Sequence, residues 1–337
     1  KIRLGEVKKE SFIEKGSEFI LTTKKLVGNT TIAHISYKQF PKDVKLGDKI
    51  LIDDGKIQVQ VVETNKKDSV KTKVIFGGEL NSNKGVNLPN TKISQPCLTE
   101  KDKNDLNFIF SQPIEWIGLS FVRSAQDILE LKKQIKKHKH HSRVVAKIEK
   151  PEAINNLDSI INVTDAIMIA RGDLGVEIPM QKVPAIQKRI AKACLEKAKP
   201  FIVATQMLES MTENITPTRA EVNDVANSVM DGADAVMLSG ETSVGKHPIE
   251  AVKTMSKIIA SVEQEITKTR QYIVKEGYGE RFISDAICYH SCMLAEKVEA
   301  KAIITMTHSG YNSIEISSHR PPCKIYAFTN NHAILNT

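Results

Sequence analysis

Lys147 and Glu149 close the apolar run Val144–Ile148 and stand two residues apart. In an extended strand the side chains at i and i+2 leave on the same face, so an ammonium and a carboxylate meet at one strand end. Such a pair is either a plain salt bridge or half of a charged site. A second carboxylate follows in Ala170-Arg171-Gly172-Asp173-Leu174-Gly175, where the glycines let backbone N–H groups approach a ligand. Two carboxylates from neighbouring strand ends can share a divalent cation. With water and substrate oxygens they make a hard oxygen site of the Mg2+ or Mn2+ type. Lys147 then stands where charge on a transferring phosphoryl group, or on an enolate, needs a counter-charge. Thr205, just past the run Phe201–Ala204, brings a hydroxyl to the next strand end; its plain alternative is a helix N-cap.

The elements that must hold these residues alternate in period. From about residue 99, short apolar runs at Trp116–Val122, Val144–Ile148, Ala166–Ala170, Phe201–Ala204 and Ala235–Leu238 read as strands. Between them lie amphipathic helices. Val183–Lys199 has Ile186, Ile190 and Cys194 on one face, and Pro217–Met230 has Val222, Val225, Ala226 and Val229. Strands alternating with helices mean βα units and a parallel sheet. Polar residues follow every strand: Ser120 and Arg123, Lys147 and Glu149, Arg171 and Asp173, Thr205 and Gln206, Ser239 and Glu241. Chemistry at successive strand ends favours a (β/α)8 barrel over an open sheet, whose site lies at one switch point.

Residues 1–89 read differently, as a small all-β unit. Ile57, Val59 and Val61 alternate with Lys56, Gln58 and Gln60, and Asp53-Asp54-Gly55 between two apolar runs is a hairpin signal. Lys73–Gly78 adds a strand and a turn, and Asn81–Pro89 reads as a loop. At the other end, after the helix Ile249–Ile266 and the polar stretch Thr267–Glu280, the helix Phe282–Val298 and the buried-type strands Ala302–Met306 and Lys324–Phe328 form a further α/β unit.

Composition excludes several classes. Of the 337 residues 41 % are apolar and no tract is poor in them, which excludes disorder. No run reaches the ~18 apolar residues of a membrane span, and Lys1–Gly5 shows no signal-type apolar region. The five cysteines (97, 194, 288, 292 and 323) are odd in number and lack CxxC spacing, which points to a reducing, cytoplasmic setting without a zinc finger. The net charge of +8 raises nucleic-acid binding as a reading from another class, testable by salt-dependent oligonucleotide binding. The excess is spread out, however. Its densest cluster, Leu131–Arg143, reads as the exposed face and C-terminus of a helix, where cations suit the dipole. His138, His140 and His141 have no acidic or Cys neighbours and read as solvated surface. No nucleic-acid partner is expected.

These residues resemble the pyruvate kinase family. Val144–Glu152 (VVAKIEKPE) resembles its active-site signature. Ala170–Glu177 (ARGDLGVE), Ala204–Met211 (ATQMLESM), Pro217–Glu221 (PTRAE) and Leu238–Thr242 (LSGET) resemble further blocks in the family's order. Asp53-Asp54-Gly55 and Lys84–Pro89 resemble its mobile β domain, inserted after the third barrel strand. The similarity covers essentially the whole chain. It implies an α/β fold: a (β/α)8 TIM barrel with strands 4–8 present, an inserted all-β lid and a C-terminal α/β domain. The corresponding boundaries are 1–89 for the lid, 90–266 for the barrel part and 267–337 for a regulatory and oligomerisation domain.

The resemblance also implies an activity: transfer of the phosphoryl group of phosphoenolpyruvate to ADP, giving pyruvate and ATP, in glycolysis. It assigns Glu149 and Asp173 to Mg2+, Lys147 to the phosphoryl group and the enolate, the backbone N–H groups of Gly172 and Asp173 to the substrate carboxylate, and Thr205 to the relay that protonates the enolate. Arg3, Asp54 and Lys84 face the nucleotide as the lid closes. Lys1 stands where K+-requiring members carry Glu, so its ammonium implies that K+ is not required. Thr307, His308, Ser309 and Gly310 resemble the loop that holds a sugar-phosphate effector, though the loop lacks Lys and Arg. A homotetramer is implied as well. The nearest enzyme alternative is a Mg2+-dependent lyase or aldolase on pyruvate or phosphoenolpyruvate in a related barrel, against which Lys147 and the inserted β unit argue.

The length bears on this. The barrel part, from about 115 to 265, holds five βα units, whereas a closed barrel of eight takes ~250 residues. The expectation is an internal stretch of the family's chain, with the first three strands, the phosphate-binding Arg and Asn and the K+ ligands before Lys1, and with further strands after Asn330. A chain of this length alone is expected neither to close its barrel nor to turn over.

Overall fold

The computed structural model describes residues 2–89, 91–94, 96–266 and 281–335. Lys1 and the stretch Thr267–Glu280 lie outside them. The chain divides into two compact units, Lys1–Thr99 with Gly172–Val183, and Glu100–Arg171 with Pro184–Thr337.

The first unit is built on a six-stranded sheet. In spatial order its strands are Ile32–His34, Glu18–Thr22, Ser69–Phe76, Ile57–Thr64, Lys49–Ile52 and Val86–Asn87. The alternation read at 57–61 holds: Ile57, Val59 and Val61 are buried beneath half-buried Gln58 and Gln60. Together with Phe19, Leu21, Ile50, Ile52, Val70 and Val74 they form the core. The hairpin signal also holds, with Ile52 paired to Ile57. Its turn carries Asp53, Asp54 and Gly55 at φ 52°, 56° and 91°; Asp tolerates this left-handed region and Gly enters it without cost. One reading is corrected. Asn81–Pro89 is not all loop, because Val86–Asn87 pairs antiparallel with Leu51 and Ile52 and buries Val86 and Leu88. The unit is also not purely β, since Phe40–Asp43 forms one helical turn with Phe40 and Pro41 buried.

In the second unit, Trp116–Leu119, Arg143–Ile148, Ala166–Ala170, Phe201–Ala204 and Ala235–Met237 form a five-stranded sheet. Each strand is parallel to its neighbour and the spatial order follows the chain without reversal. Sequential parallel winding is that of a (β/α)8 barrel; a doubly wound sheet reverses at a switch point. The helices read between the strands are present. Ala125–Lys137 buries Ile128, Leu131 and Ile135, three residues spaced along one face, and turns its lysines outward. Arg219–Met230 starts on a reciprocal capping box: Thr218 Oγ1 accepts the Glu221 N–H and Glu221 Oε2 accepts that of Thr218. Its Val225 is buried as read, but Val222 is exposed.

The end of the chain folds as the helix Phe282–Lys297, the parallel strand pair Ala302–Met306 and Lys324–Phe328, and the helix Tyr311–Ser318. These strands are not buried as expected. Ile303 and Ile325 pack on Cys288, Cys292 and Ile316, whereas Ile304, Met306, Tyr326 and Phe328 are exposed. Among the described residues, helices pack on one face of the pair, so alternate side chains are left exposed.

Candidate active site

The second strand of the parallel sheet delivers Lys147 and Glu149 to one point. Lys147 Nζ lies 2.5 Å from Glu149 Oε1, with side-chain exposures of 24 % and 1 %. The carboxylate is therefore the inner member and the ammonium the outer one. From the first strand's end, Ser120 Oγ accepts a hydrogen bond from Lys147 Nζ at 3.0 Å. The Phe121 amide, at φ 58°, donates to Glu149 Oε2 at 2.9 Å. Two strand ends thus hold one buried carboxylate and one cation.

Glu149 Oε1, although beside the ammonium, is buried and receives no well-directed hydrogen bond. A buried hard anionic oxygen with unused acceptor capacity fits a divalent cation. Among the described residues no group of three or more His, Cys, Asp or Glu is arranged to hold a metal. A cation here needs water and substrate oxygens to complete its shell, which is how Mg2+ is commonly held.

The third and fourth strands contribute Arg171 and Thr205. Thr205 caps no helix; it and Gln206 stand at φ 72° and 54° just past the strand Phe201–Ala204. Arg171 Nη2 donates to the Thr205 carbonyl at 2.7 Å and to the Gln206 carbonyl at 3.3 Å. Its Nη1 lies 2.8 and 2.7 Å from the two Asp224 oxygens. Glu241, fully buried after the fifth strand, accepts from the amides of Leu208 and Ser239, and Glu221 accepts from the amide and hydroxyl of Ser210. Three charged side chains therefore tie down residues 205–210.

Gly172 and Asp173 belong to the other unit and open its helical segment, in the first turn of Arg171–Glu177. In the same unit Asn87 Nδ2 donates to the buried Glu177 carboxylate at 2.9 Å. Arg3 and Lys84 come together there: Arg3 bridges to Gly85, and its Nη1 donates to the Asn83 carbonyl at 2.8 Å. Lys84 pairs with Asp53 at 3.0 Å, while Asp54 beside it is exposed. Burial raises the Asp53 carboxyl, but hydrogen bonds from Lys84 and Lys56 outweigh this and hold it below the usual carboxylate range.

Residues 307–310 form a turn between the strand Ala302–Met306 and the helix Tyr311–Ser318. The Gly310 amide donates to Thr307 Oγ1 at 2.9 Å, and Gly310 stands at φ 81°. The loop carries no cation of its own, but the Arg281 guanidinium lies over the Tyr311 ring at 4.2 Å. His138, His140 and His141 are surface residues: His138 stacks on Phe110 at 4.6 Å, and His140 stacks on His141 at 4.8 Å.

Lys147, Glu149 and Thr205 stand at strand ends as read, and Asp173 stands in the first turn of Arg171–Glu177. Ser120, Arg171 and Glu241 also stand at strand ends, where sequence alone assigns them no roles, and neither the pairing of Lys84 with Asp53 nor that of Arg171 with Asp224 is legible there. A carboxylate three residues after an N-cap on the helix behind the strands, as Asp224 is not, would have carried a signal; Asp224 carries none.

A parallel sheet wound in chain order, with lysine and carboxylates at its strand ends, defines a barrel enzyme with an anion-handling site. Comparison gives the family. A model described as pyruvate kinase, barrel domain, matches residues 1–252, and one described as pyruvate kinase, alpha/beta domain, matches 285–337. Pyruvate kinase of Thermotoga maritima is 44 % identical over 331 residues, 98 % of this chain and 70 % of that protein. Pyruvate kinase of Clostridium acetobutylicum is also 44 % identical, over 97 % of this chain and 70 % of its own length. A crystal structure of a pyruvate kinase from Cryptosporidium parvum superposes with a TM-score of 0.88 at 35 % identity, over 99 % of this chain and 70 % of that one. The chain belongs to the pyruvate kinase family.

Proposed function

We infer that the protein is a phosphotransferase of glycolysis that moves the phosphoryl group of phosphoenolpyruvate to ADP. The observation that carries this reading is the Lys147–Glu149 pair held by Ser120 and the Phe121 amide. A terminal phosphate oxygen of ADP attacks phosphorus. The bond from phosphorus to the enol oxygen breaks, and its electron pair stays on that oxygen as the enolate. Carbon 3 then takes a proton, giving pyruvate. Lys147 supplies the positive charge for both the phosphoryl group in flight and the enolate. Glu149 and Asp173 would hold Mg2+ or Mn2+, which when bound neutralises phosphoryl and enolate oxygens. The amides of Gly172 and Asp173 orient the substrate carboxylate, and Thr205 serves the proton relay to carbon 3.

Residues 1–89 act as a lid whose Arg3, Asp54 and Lys84 meet the nucleotide; closure excludes water from the transfer. Asp53 joins this set, since it is the carboxylate that pairs with Lys84. Residues 90–266 carry the catalytic side chains and 267–337 a regulatory and oligomerising domain. Its loop Thr307, His308, Ser309 and Gly310 takes the phosphate of a sugar-phosphate effector, and the assembly is a cytoplasmic homotetramer. Lys1 replaces K+. No helix among the described residues is long and apolar enough to cross a membrane.

The test, run on protein whose chain carries all eight barrel strands, couples pyruvate formation to NADH oxidation, with and without ADP. Pyruvate release from phosphoenolpyruvate that depends on ADP and a divalent cation is expected. Release without ADP would mean that water takes the phosphoryl group, and would overturn the transfer to ADP.

A further inference from the structure

Thr205 combines two features that oppose each other. It is β-branched, and it stands at φ 72° with Gln206 at 54° directly after it. Positive φ is a genuine outlier for a β-branched side chain, and two such residues in succession persist only where surrounding groups enforce them. The group that enforces this turn is Arg171. It follows the strand Ala166–Ala170 as Thr205 follows Phe201–Ala204, and Ala170 pairs with Ala204 across the two strands. Arg171 and Thr205 therefore leave neighbouring strands at the same level.

The Arg171 guanidinium divides its donors. Nη2 takes the carbonyls of Thr205 and Gln206 and lies 2.8 Å from Met207 Sδ. Nη1 takes both oxygens of Asp224, with Gln187 Oε1 at 3.5 Å. The side chain is 10 % exposed. Asp224, on the helix Arg219–Met230, orients the guanidinium, which in turn fixes two successive carbonyls. A rotation of the 205–206 peptides back toward negative φ would swing these carbonyls off the guanidinium and carry the Thr205 hydroxyl away from its strand end. The hydroxyl now donates to the Ala204 carbonyl at 2.6 Å.

We propose that Arg171, oriented by Asp224, is a positioning residue for enolate protonation, because it holds Thr205 in the left-handed conformation that aims its hydroxyl. The proposal rests on the function inferred above. It adds a separable claim: Arg171 acts on the proton transfer through Thr205, and not on substrate or nucleotide binding. Arg171 touches backbone carbonyls, so its loss should displace Thr205 rather than remove a substrate contact.

The experiment measures two rates in the purified protein. One is turnover of phosphoenolpyruvate with ADP. The other is solvent-deuterium incorporation into the methyl group of pyruvate, followed by NMR with Mg2+ and ATP present, which reports the reverse proton transfer. Arg171→Lys keeps the charge but cannot span both carbonyls and Asp224. A misplacement of this kind should slow exchange and kcat by roughly 10- to 100-fold, with KM for phosphoenolpyruvate and for ADP held within about 2-fold. Asp224→Asn should give the same pattern with a smaller loss, about 3- to 10-fold. In the Thr205→Ala background Arg171→Lys should cost nothing further in exchange, the non-additivity of two residues acting as one unit. Additive losses, a rise in KM in place of the fall in kcat, or unchanged exchange in Arg171→Lys would overturn the proposal. If thermal melting shows Arg171→Lys unfolded, Asp224→Asn carries the same comparison. A wild type whose chain carries all eight barrel strands and which neither turns over nor exchanges would instead overturn the inferred function.

Discussion

At the scale of single residues, the pair at the second strand end makes two demands that mutation can separate. Glu149 is buried, with Lys147 and the Phe121 amide as its partners. Lys147→Met leaves a buried carboxylate without its cation, so it should lower stability by about 1–3 kcal/mol and kcat by roughly 100- to 1,000-fold. Glu149→Gln keeps the shape and removes the anion. It should raise the Mg2+ concentration needed for half-maximal rate, read from Mg2+ titrations in the coupled assay, while melting close to wild type. A Glu149→Gln variant with unchanged Mg2+ dependence would remove Glu149 from the metal site. Lys1 makes a simpler prediction: activity in K+-free and Na+-free buffer should equal that with added KCl, and a many-fold rise would assign no cation role to it. The strand period made Lys147 and Glu149 legible as one charged pair, since i and i+2 share a face. The same rule gives no direction at Asp53 and Asp54, where successive left-handed residues break the alternation. The choice of Asp54 for the nucleotide follows from the resemblance alone; the pairing of Lys84 with Asp53 needed coordinates.

At the scale of elements, the capping box of the helix Arg219–Met230 offers a measurable increment. Thr218→Ala removes the acceptor of the Glu221 amide and should cost about 1 kcal/mol, seen as a lower denaturation midpoint. Glu221 adds a pH signature. Its burial raises the carboxyl, but hydrogen bonds from Ser210 and Thr218 outweigh this and hold it below its usual value of 4.5. A carboxyl lowered in the folded state contributes stability that is complete above its unfolded pKa and lost as pH falls through the folded one. The difference in stability between wild type and Glu221→Gln should therefore be full near neutrality and shrink below about pH 4.5. A pH-independent difference would mean that the charge is not what caps the helix. Deeper in the sheet, Ile167 is fully buried, and Ile167→Ala should cost about 2–5 kcal/mol. Elements with a strong period were readable to within a few residues: the five parallel strands, and the helices behind them. Burial of the strand pair Ala302–Met306 and Lys324–Phe328 was not. An apolar run signals a strand, but whether its second face is covered depends on what the rest of the fold brings there. The pairing of Val86–Asn87 escaped for the same reason: two residues carry no period, and their partners Leu51 and Ile52 lie some way back along the chain.

At the scale of the whole molecule, the buried cysteines report how the second unit opens. All five are free. Burial pushes the thiols of Cys194 and Cys292 up to about 12, and that of Cys288 up to about 11. None of the three reacts as a thiolate near neutral pH while folded, so alkylation at these positions measures opening. Their surroundings differ. Cys194 lies on the helix Val183–Glu196, behind a sheet with Ile167, Ile169, Phe201 and Val203 fully buried. Among the described residues, Cys288 and Cys292 share a small buried core with Ile316, backed by the partly buried Ile303 and Ile325. A region with few buried apolar side chains opens at a lower free energy than one with many. Under sub-denaturing urea, iodoacetamide should therefore label Cys97 and Cys323, which are partly exposed, first; Cys288 and Cys292 next and together; and Cys194 last, at the rate of global unfolding. Mass spectrometry of timed digests gives the order. Equal rates at Cys292 and Cys194 would mean that the C-terminal segment and the barrel strands unfold as one cooperative body. Separate rates would show that the segment carrying residues 307–310 can loosen while the strand ends that hold Lys147, Glu149 and Thr205 stay formed, the thermodynamic condition for modulating that site without dismantling it.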